Sequence, residues 1–476
     1  MVLVAAAMVA IIGMAAMSID LVTLYLAREE AQRTADTAAL AAARIISVSG
    51  ITGTASPTKD TTDWSSICSA AGGWATQAAV AVAAQNTIGG QSVPVVSVTY
   101  SDGSTTSNDC TTLSDVFAVN PMVTVQITPS VTIPSFFSRI WGSTGNQISA
   151  SATAEAFNPS QSDTHVVGAS GSVTPVQPHC VKPWIVPNLD PGNCPPVGAC
   201  RRFVSNTDGS IRNPGIAPGG AFRSSAVIGE TFNLFADCLH TGAPCGIVDS
   251  PLKANVAGGT YEDKGPPSLA TFPNLEYLPA ADPVTSVGYL SSCTGTSKYQ
   301  QAVAGCDQTT AYQCGVQVSA GGTNTIDLNE NPGGAAGDTA TGLACSLTHS
   351  ATVPLSGQDI IIGSNGNPYP FVAIAQDVTS KAMGVPVGTP LTSSNSIVSL
   401  PIYDSSSPLL FSNNTAPVTI VGFLQVFVNS VDQNDGSVNV TVLNVAGCGT
   451  AATNAPVSGS SPVPVRLITP PPPPSQ

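Results

Sequence analysis

Hydrophobic positions fall into distinct regimes along the chain. From Met1 to Ile19 the sequence MVLVAAAMVAIIGMAAMSI carries no charge, and after Asp20 the run LVTLYL keeps the apolar character to Leu26. At 1.5 Å per residue a helix over that first run is about 28 Å long, close to the ~30 Å hydrocarbon thickness of a bilayer. From Leu24 onward the apolar positions narrow to a stripe. Leu24, Ala27, Ala31, Ala35, Ala38, Ala42 and Ile45 recur every three or four residues, the spacing of one helix face. Glu29 and Arg33 form an i,i+4 pair on the opposite, wetted side. The pattern predicts one long helix, apolar all round at first and striped afterwards.

Further on the period changes to two. Val96, Val98 and Tyr100 alternate with Ser97 and Thr99; Val123, Val125 and Ile127 alternate with Thr124, Gln126 and Thr128; Ile148, Ala150, Ala152 and Ala154 alternate with Ser149, Ser151, Thr153 and Glu155. Three strands with one covered face are expected. Between the last two, the apolar cluster from Ile133 to Gly142 reads as a short helix or turn plugging the sheet. Ala70 to Asn86 is an Ala-rich helix candidate stopped by Gly89-Gly90.

Beyond Pro159 the segment Ser160 to Gln177 is rich in Ser, Gly, Thr and Val and reads as a linker. After it come short strand signals among Gly, Pro and Asn turns. Ile397 to Tyr403 is one. The near-continuous apolar run VTIVGFLQVFVNSV reads as a central buried strand, too short to span a bilayer as a helix. Val438, Val440 and Val442 follow the turn dipeptide Asp435-Gly436. The tail TPPPPPSQ suits polyproline II. The fold class expected is α+β. A transmembrane anchor and Ala-rich helix occupies 1–46, a small α+β domain 47–157, a linker 158–178, a Cys-rich, disulfide-containing β domain 179–463, and a disordered Pro-rich tail 464–476.

Composition sharpens this. Only 9% of the 476 residues are charged, against roughly 25% in an average domain. The net charge is −14 with 15 basic residues, which argues against a phosphate-neutralising face and hence against nucleic acid as a partner. The 12 cysteines include no C-x-x-C pair and are accompanied by only 4 His. Disulfides in an oxidising compartment fit better than zinc sites, with unpaired buried thiols as the alternative. Cys68 and Cys110 are the only cysteines before the linker. They pair with each other if the N-terminal unit folds alone; a cross-domain pair with a distal cysteine is the other reading. The first segment has no basic n-region, so an uncleaved anchor is expected rather than a cleaved signal peptide. Without basic residues there, orientation gains no support from the positive-inside rule.

Chemistry is sparse. There is no G-x-S-x-G, H-E-x-x-H, Walker A or Rossmann glycine pattern. His165, His179, His240 and His349 are isolated. Asp102-x-Ser104-x-Thr106 reads as a hairpin turn. Asp432 to Gly436 lacks the distal Glu of a calcium loop, and Asp327, Asn329 and Glu330 stand on the same footing. No catalytic, cofactor or metal residue is assigned, and an exported enzyme ranks last among the function classes.

The run GMAAMSIDLVTLYLAREEAQRTADTAALAAARI resembles the N-terminal domain of TadG-like proteins of the Flp (tight adherence) pilus assembly system. The positions carrying the likeness are Asp20, Leu24, Tyr25, Ala35, Asp36, Ala38, Ala39, Leu40, Ala41 and Ala42. The segments VTVQITPSVTIPSFFSRIWG and QISASATAEA also look like the closing strand pair of that family and its TadE-like relatives. Some TadG-like proteins end in a von Willebrand factor A-like domain, and Asp102-x-Ser104-x-Thr106 lacks the helical pattern that should follow that domain's metal motif. The resemblance implies a bitopic bacterial envelope protein without catalysis of its own. It would sit in the inner membrane with its body periplasmic or at the cell surface, among other Tad/Flp pilus assembly proteins. On that view the Ala seam either packs against partner helices in a homo- or hetero-oligomer or lies on its own domain. Asp20 is either a partner-seeking intramembrane carboxylate or a wetted group at headgroup level. An alternative function is a surface adhesin or binding module using the same anchor.

Overall fold

A computed structural model describes residues 2–53, 61–70, 72–92, 95–128, 133, 137, 145–156, 158, 180–193, 201–205, 211–212, 227–236, 273–279, 297–305, 312–313, 325–327, 335–348, 358–363, 372–376, 385–405, 415–417, 420–434, 436–447, 456–457 and 463–468. The helices are α1 (Val2–Val48), α2 (Thr61–Cys68), α3 (Trp74–Ala84), α4 (Lys298–Ala304) and α5 (Ala335–Thr348). The strands that build the larger sheets begin with β1 (Val95–Ser101), β2 (Thr106–Ser107), β3 (Met122–Thr128) and β4 (Ala150–Ala156). They continue with β5 (Trp184–Pro187), β6 (Thr231–Ala236), β7 (Asn274–Pro279), β8 (Ile360–Ile362), β9 (Val372–Ile374) and β10 (Pro390–Leu391). The last four are β11 (Ile397–Tyr403), β12 (Ile420–Val431), β13 (Val438–Gly447) and β14 (Val465–Ile468).

α1 is unbroken for 47 residues, about 70 Å at 1.5 Å per residue. No proline interrupts it, and 14 of its 47 residues are Ala, the best helix former. It ends where Ser49 N–H donates back to Ile45 O and Gly50 takes a left-handed φ of 85°, a common helix stop.

The second part of α1 lies on a five-stranded antiparallel sheet of order β14-β4-β3-β1-β2. The expected alternation sets its register: Val98 faces Val125 and Tyr100 faces Val123, while Val125 faces Ala152 and Val123 faces Ala154. Those side chains point to α1 and α3 and are buried. The contact is built of small groups from both sides, Ala75, Ala78, Ala79 and Ala83 on α3 and Ala150, Ala152, Ala154 and Ala156 on β4. Alanine on alanine lets the backbones approach closely. α2, which the pattern of hydrophobic positions does not predict, brings Cys68 to the short turn at Cys110. The two form a disulfide with a Cα–Cα distance of 5.6 Å, both sulfurs buried. Trp64 packs on Phe117 and Phe117 on Tyr100, with ring centres 5.5 and 6.2 Å apart.

β14 departs from expectation. Residues 465–468 stand inside the segment read as a disordered tail, yet they form the sheet's edge strand against β4. There Arg466 pairs with the buried Glu155. The rest of that tail, the 160–177 linker, and the four histidines lie outside the described residues, as does most of the Ile133–Gly142 cluster. Within that cluster Ile133 is buried and bridges Asn146.

The Cys-rich region holds a closed barrel whose ring runs β11-β12-β13-β6-β7-β5 and back to β11. β12 and β13 form the hairpin expected from Asp435-Gly436, with Gly436 at φ 71°. β12 pairs with a strand on each side and is buried from Ile420 to Val428. A strand covered on both faces reads as a continuous apolar run. β6 with β7 and β5 with β11 pair in parallel. α4 and α5 cross tightly: a Cβ on Gly342 would stand 2.9 Å from Gln300 O and from Val303. Cys180 and Cys345 each take part in a disulfide too, not with one another, and among the described residues no cysteine is free.

The barrel and the N-terminal unit touch at the foot of α1. Asn444 of β13 donates from Nδ2 to Ser47 O and to Gln425 Oε1. Asn158, fully buried, donates to Val445 O at 2.8 Å and Thr52 O at 3.4 Å. Asn158, the first residue of the 158–178 linker that the sequence suggests, sits in this seam.

Candidate anchoring and assembly helix

α1 has two unlike halves. Leu3 is 85% exposed, Met17 68% and Tyr25 67%. Among the described side chains before Ala27, Ala16 and Asp20 alone are buried. The helix is long and apolar enough to cross a membrane. From residue 3 to 26 it rises about 36 Å, more than the ~30 Å hydrocarbon layer.

The striped half is different. Ala27, Ala31, Ala35, Ala38 and Ala42 are each at most 1% exposed, Ile45 is 2% and Leu24 is half-buried. They are covered by α3, β3, β4 and β14 of the same chain. Of the two readings of the seam, the one in which the helix lies on its own domain matches this packing.

Asp20 is neither bare nor wetted. It is 6% exposed, and its carboxylate accepts the Phe137 N–H, at 3.2 Å from Oδ1 and 3.1 Å from Oδ2. A carboxylate within an apolar stretch is costly unless its oxygens find donors, and here the polypeptide supplies one. Sequence reasoning missed this donor, because a backbone N–H has no signature of its own.

Polar groups on α1 tie it to its surroundings. Glu30 Oε2 accepts Gly89 N–H at 2.7 Å, where Gly89 and Gly90 turn the short hairpin Thr87–Ile88 to Gln91–Ser92 with φ of 58° and 76°. Gln32 donates to Asp36 Oδ1 at 2.8 Å and to Ser151 O of β4 at 3.1 Å. Glu29 and Arg33 do pair, at 3.7 Å, but on the exposed side, where such a bridge contributes little.

The other sequence candidates take structural roles. Asp102 Oδ1 accepts Ser104 N–H, Ser104 Oγ–H and Thr105 N–H, while Oδ2 accepts Ser114 N–H and Oγ–H. Partial burial pushes this carboxyl up, but the hydrogen bonds from Ser114, Thr105 and Ser104 outweigh it and hold the group well below the usual carboxylate range. The expected turn is what is found. Asp432 Oδ1 likewise accepts Asn434 N–H and Nδ2–H within its own turn.

Two buried polar clusters inside the barrel region were not foreseen. Lys182, fully buried, donates from Nζ to Val303 O at 2.6 Å and Gly305 O at 2.7 Å, closing the end of α4. Burial pushes its amine down to about 7. Trp184 Nε1–H donates to Tyr299 OH at 3.1 Å, which donates to Tyr277 OH at 3.0 Å, and both hydroxyls meet Thr339 Oγ1. These groups knit β5, β7, α4 and α5 together and present no reactive atom to solvent.

No curated protein and no solved structure matches the chain. One family model does, and it ends at residue 44, short of β3 and β4. Over residues 1–44, the part that forms the bare apolar rod and most of the Ala seam, the chain is similar to the Tad family, described as "Putative Flp pilus-assembly TadE/G-like".

Proposed function

We propose that this protein is a membrane-anchored, extracytoplasmic component of a Flp-type (Tad) pilus assembly system, with a structural or assembly role and no catalysis of its own. One observation carries the reading. The matched segment is the same one whose described side chains from Leu3 to Leu26 the fold leaves mostly exposed and apolar, Ala16 and Asp20 aside, and then locks onto its own sheet from Ala27 onward. A rod of this kind has two uses for its two halves. The apolar half anchors in the bacterial inner membrane, and the locked half holds the body at a fixed distance and angle from the bilayer.

The domain organisation supports a scaffold. The N-terminal unit is closed by its own disulfide, the barrel by a buried polar network, and the two are pinned together through Asn158 and Asn444. Force on the barrel therefore reaches the anchor through side chains as well as through the linker. Partners on this reading are the inner membrane and other Tad/Flp assembly proteins.

The test is fractionation followed by deletion. The protein is expected to stay with inner-membrane fractions through carbonate washing, and its deletion to abolish Flp-type pili. Release into the soluble periplasm would refute the anchor. Normal piliation in the deletion strain would refute the assembly role.

A further inference from the structure

Asp20 fixes a level on α1. Before it the helix carries no charge, and from Val2 to Ile19 it rises about 27 Å, nearly the ~30 Å of the hydrocarbon layer. A carboxylate is costly inside that layer. Its partner points the same way. Phe137 belongs to no helix or strand, and irregular backbone facing lipid does not occur within the hydrocarbon. Given the reading of α1 as a membrane anchor, on which this inference rests, the Asp20–Phe137 contact lies where the hydrocarbon meets the headgroups.

From Asp20 to Ala27, where the packed seam begins, the helix axis rises about 10 Å. The interfacial layer on each side of the hydrocarbon is only roughly 5–7 Å deep. Leu21, Val22, Tyr25 and Leu26 cross it exposed, and the next charged side chains, Arg28, Glu29 and Glu30, stand above it, also exposed. The packed seam therefore starts clear of the headgroups. Phe137 reaches below that level. Ile133, four residues earlier, is beside Ala27, since a Cβ on Gly89 would stand 2.8 Å from the Ile133 side chain and 3.6 Å from that of Ala27. Phe137 is down at Asp20. Its ring is 37% exposed there. An aromatic side chain left bare at this depth suits the boundary between headgroups and acyl chains, where membrane-surface segments bury Phe, Trp and Leu.

We propose that Phe137 is a second membrane contact, a foot that seats in the phospholipid interface on the body's side and is held there by Asp20. A single crossing helix leaves the body free to turn about the helix axis. A second contact to one side of that axis fixes which way the body faces.

The test uses the full-length chain in phosphatidylcholine–phosphatidylglycerol liposomes containing tritiated phosphatidylcholine. Benzoylphenylalanine, a photoreactive aromatic, replaces Phe137, Met17 or Val387 in turn. Met17, on the anchor, is 68% exposed, and Val387, on the body, 58%. On irradiation, lipid is expected to attach at Met17 and at position 137, and not at Val387. Asp20→Ala should lower attachment at position 137 several-fold and leave that at Met17 unchanged. Asp20→Asn, which keeps an acceptor, should retain most of it. The proposal is overturned if position 137 takes up no more lipid than Val387, or if Asp20→Ala leaves its uptake undiminished. Absence of lipid at Met17 strikes the anchor reading itself, and the foot with it, so the two failures are told apart.

Discussion

The Phe137 N–H lies 3.1 and 3.2 Å from the two carboxylate oxygens of Asp20, across 117 residues of sequence. It pins Phe137 to the apolar half of α1, seven residues before the packed seam begins at Ala27. Asp20→Ala removes the acceptor. A hydrogen bond to a charged group contributes roughly 1.5–3 kcal/mol, so opening of this contact should increase by about tenfold or more. Limited proteolysis near Phe137 measures it. Membrane attachment should be unchanged or firmer, since the substitution removes a charge from the apolar run.

Ala35 and Ala38 are both fully buried against their own domain. Leucine at either position retains helix propensity but has no space to enter, and overpacking of this kind costs about 1–3 kcal/mol. Ala35→Leu and Ala38→Leu are expected to lower the melting temperature and raise protease sensitivity of the isolated protein. If the variants melt like wild type and only piliation fails, the seam serves partners instead.

The Cys68–Cys110 bond closes a loop with a sequence separation of 42. On the chain-entropy account it stabilises by about 3–4 kcal/mol. The Cys68→Ser/Cys110→Ser double variant should lose that much in denaturant unfolding of the N-terminal unit. Non-reducing peptide mapping should show the Cys68 and Cys110 peptides linked.

Lys182 and Tyr277 predict a pH profile for the barrel. Burial pushes the Lys182 amine down to about 7, against about 10.4 in an unfolded chain. Between those values the unfolded chain holds a proton that the folded chain has released, so stability rises with pH across that window and is flat below it. Tyr277 works the other way. Burial raises it to about 12, despite hydrogen bonds with Thr339 and Tyr299 that lower it. Above about pH 10 the unfolded chain therefore loses its proton first, and stability falls. Unfolding midpoints should peak near pH 10. Lys182→Met should abolish the rise, and it should cost at least about 2 kcal/mol below pH 7 by leaving Val303 O and Gly305 O without a donor.

What the sequence reveals here follows from how local each signal is. α1 is legible because its apolar run and its three-and-four spacing are continuous over more than forty residues. β1, β3 and β4 are legible because one face meets α1 and the other does not, which writes a period of two. The 418–431 run gives away β12 because both of its faces are covered. Barrel closure is another matter. β5, β6 and β7 are 4, 6 and 6 residues long, buried nearly throughout, and their parallel pairings leave no mark in a sequence pattern. α5 contains Gly337, Gly342 and three Thr, a composition that reads as loop until α4 is seen to need Gly342 at the crossing. Asp20 shows itself as an isolated charge, but its partner is a backbone group far along the chain. Glu155 is similar: its charge is visible, and Arg466 lies 311 residues away.

That last separation governs the order of events in synthesis. The N-terminal sheet takes its outermost strand from residues 465–468. At the usual 5–20 residues per second, the interval of 311 residues between Glu155 and Arg466 lasts roughly 15–60 s. Throughout it β4 offers an unpaired edge, the kind of template that recruits foreign strands, and Glu155 waits without its counter-charge. The rod can therefore be seated long before the body it carries is sealed, and the nascent chain depends on something, a chaperone or speed of export, to guard that edge until the final strand arrives.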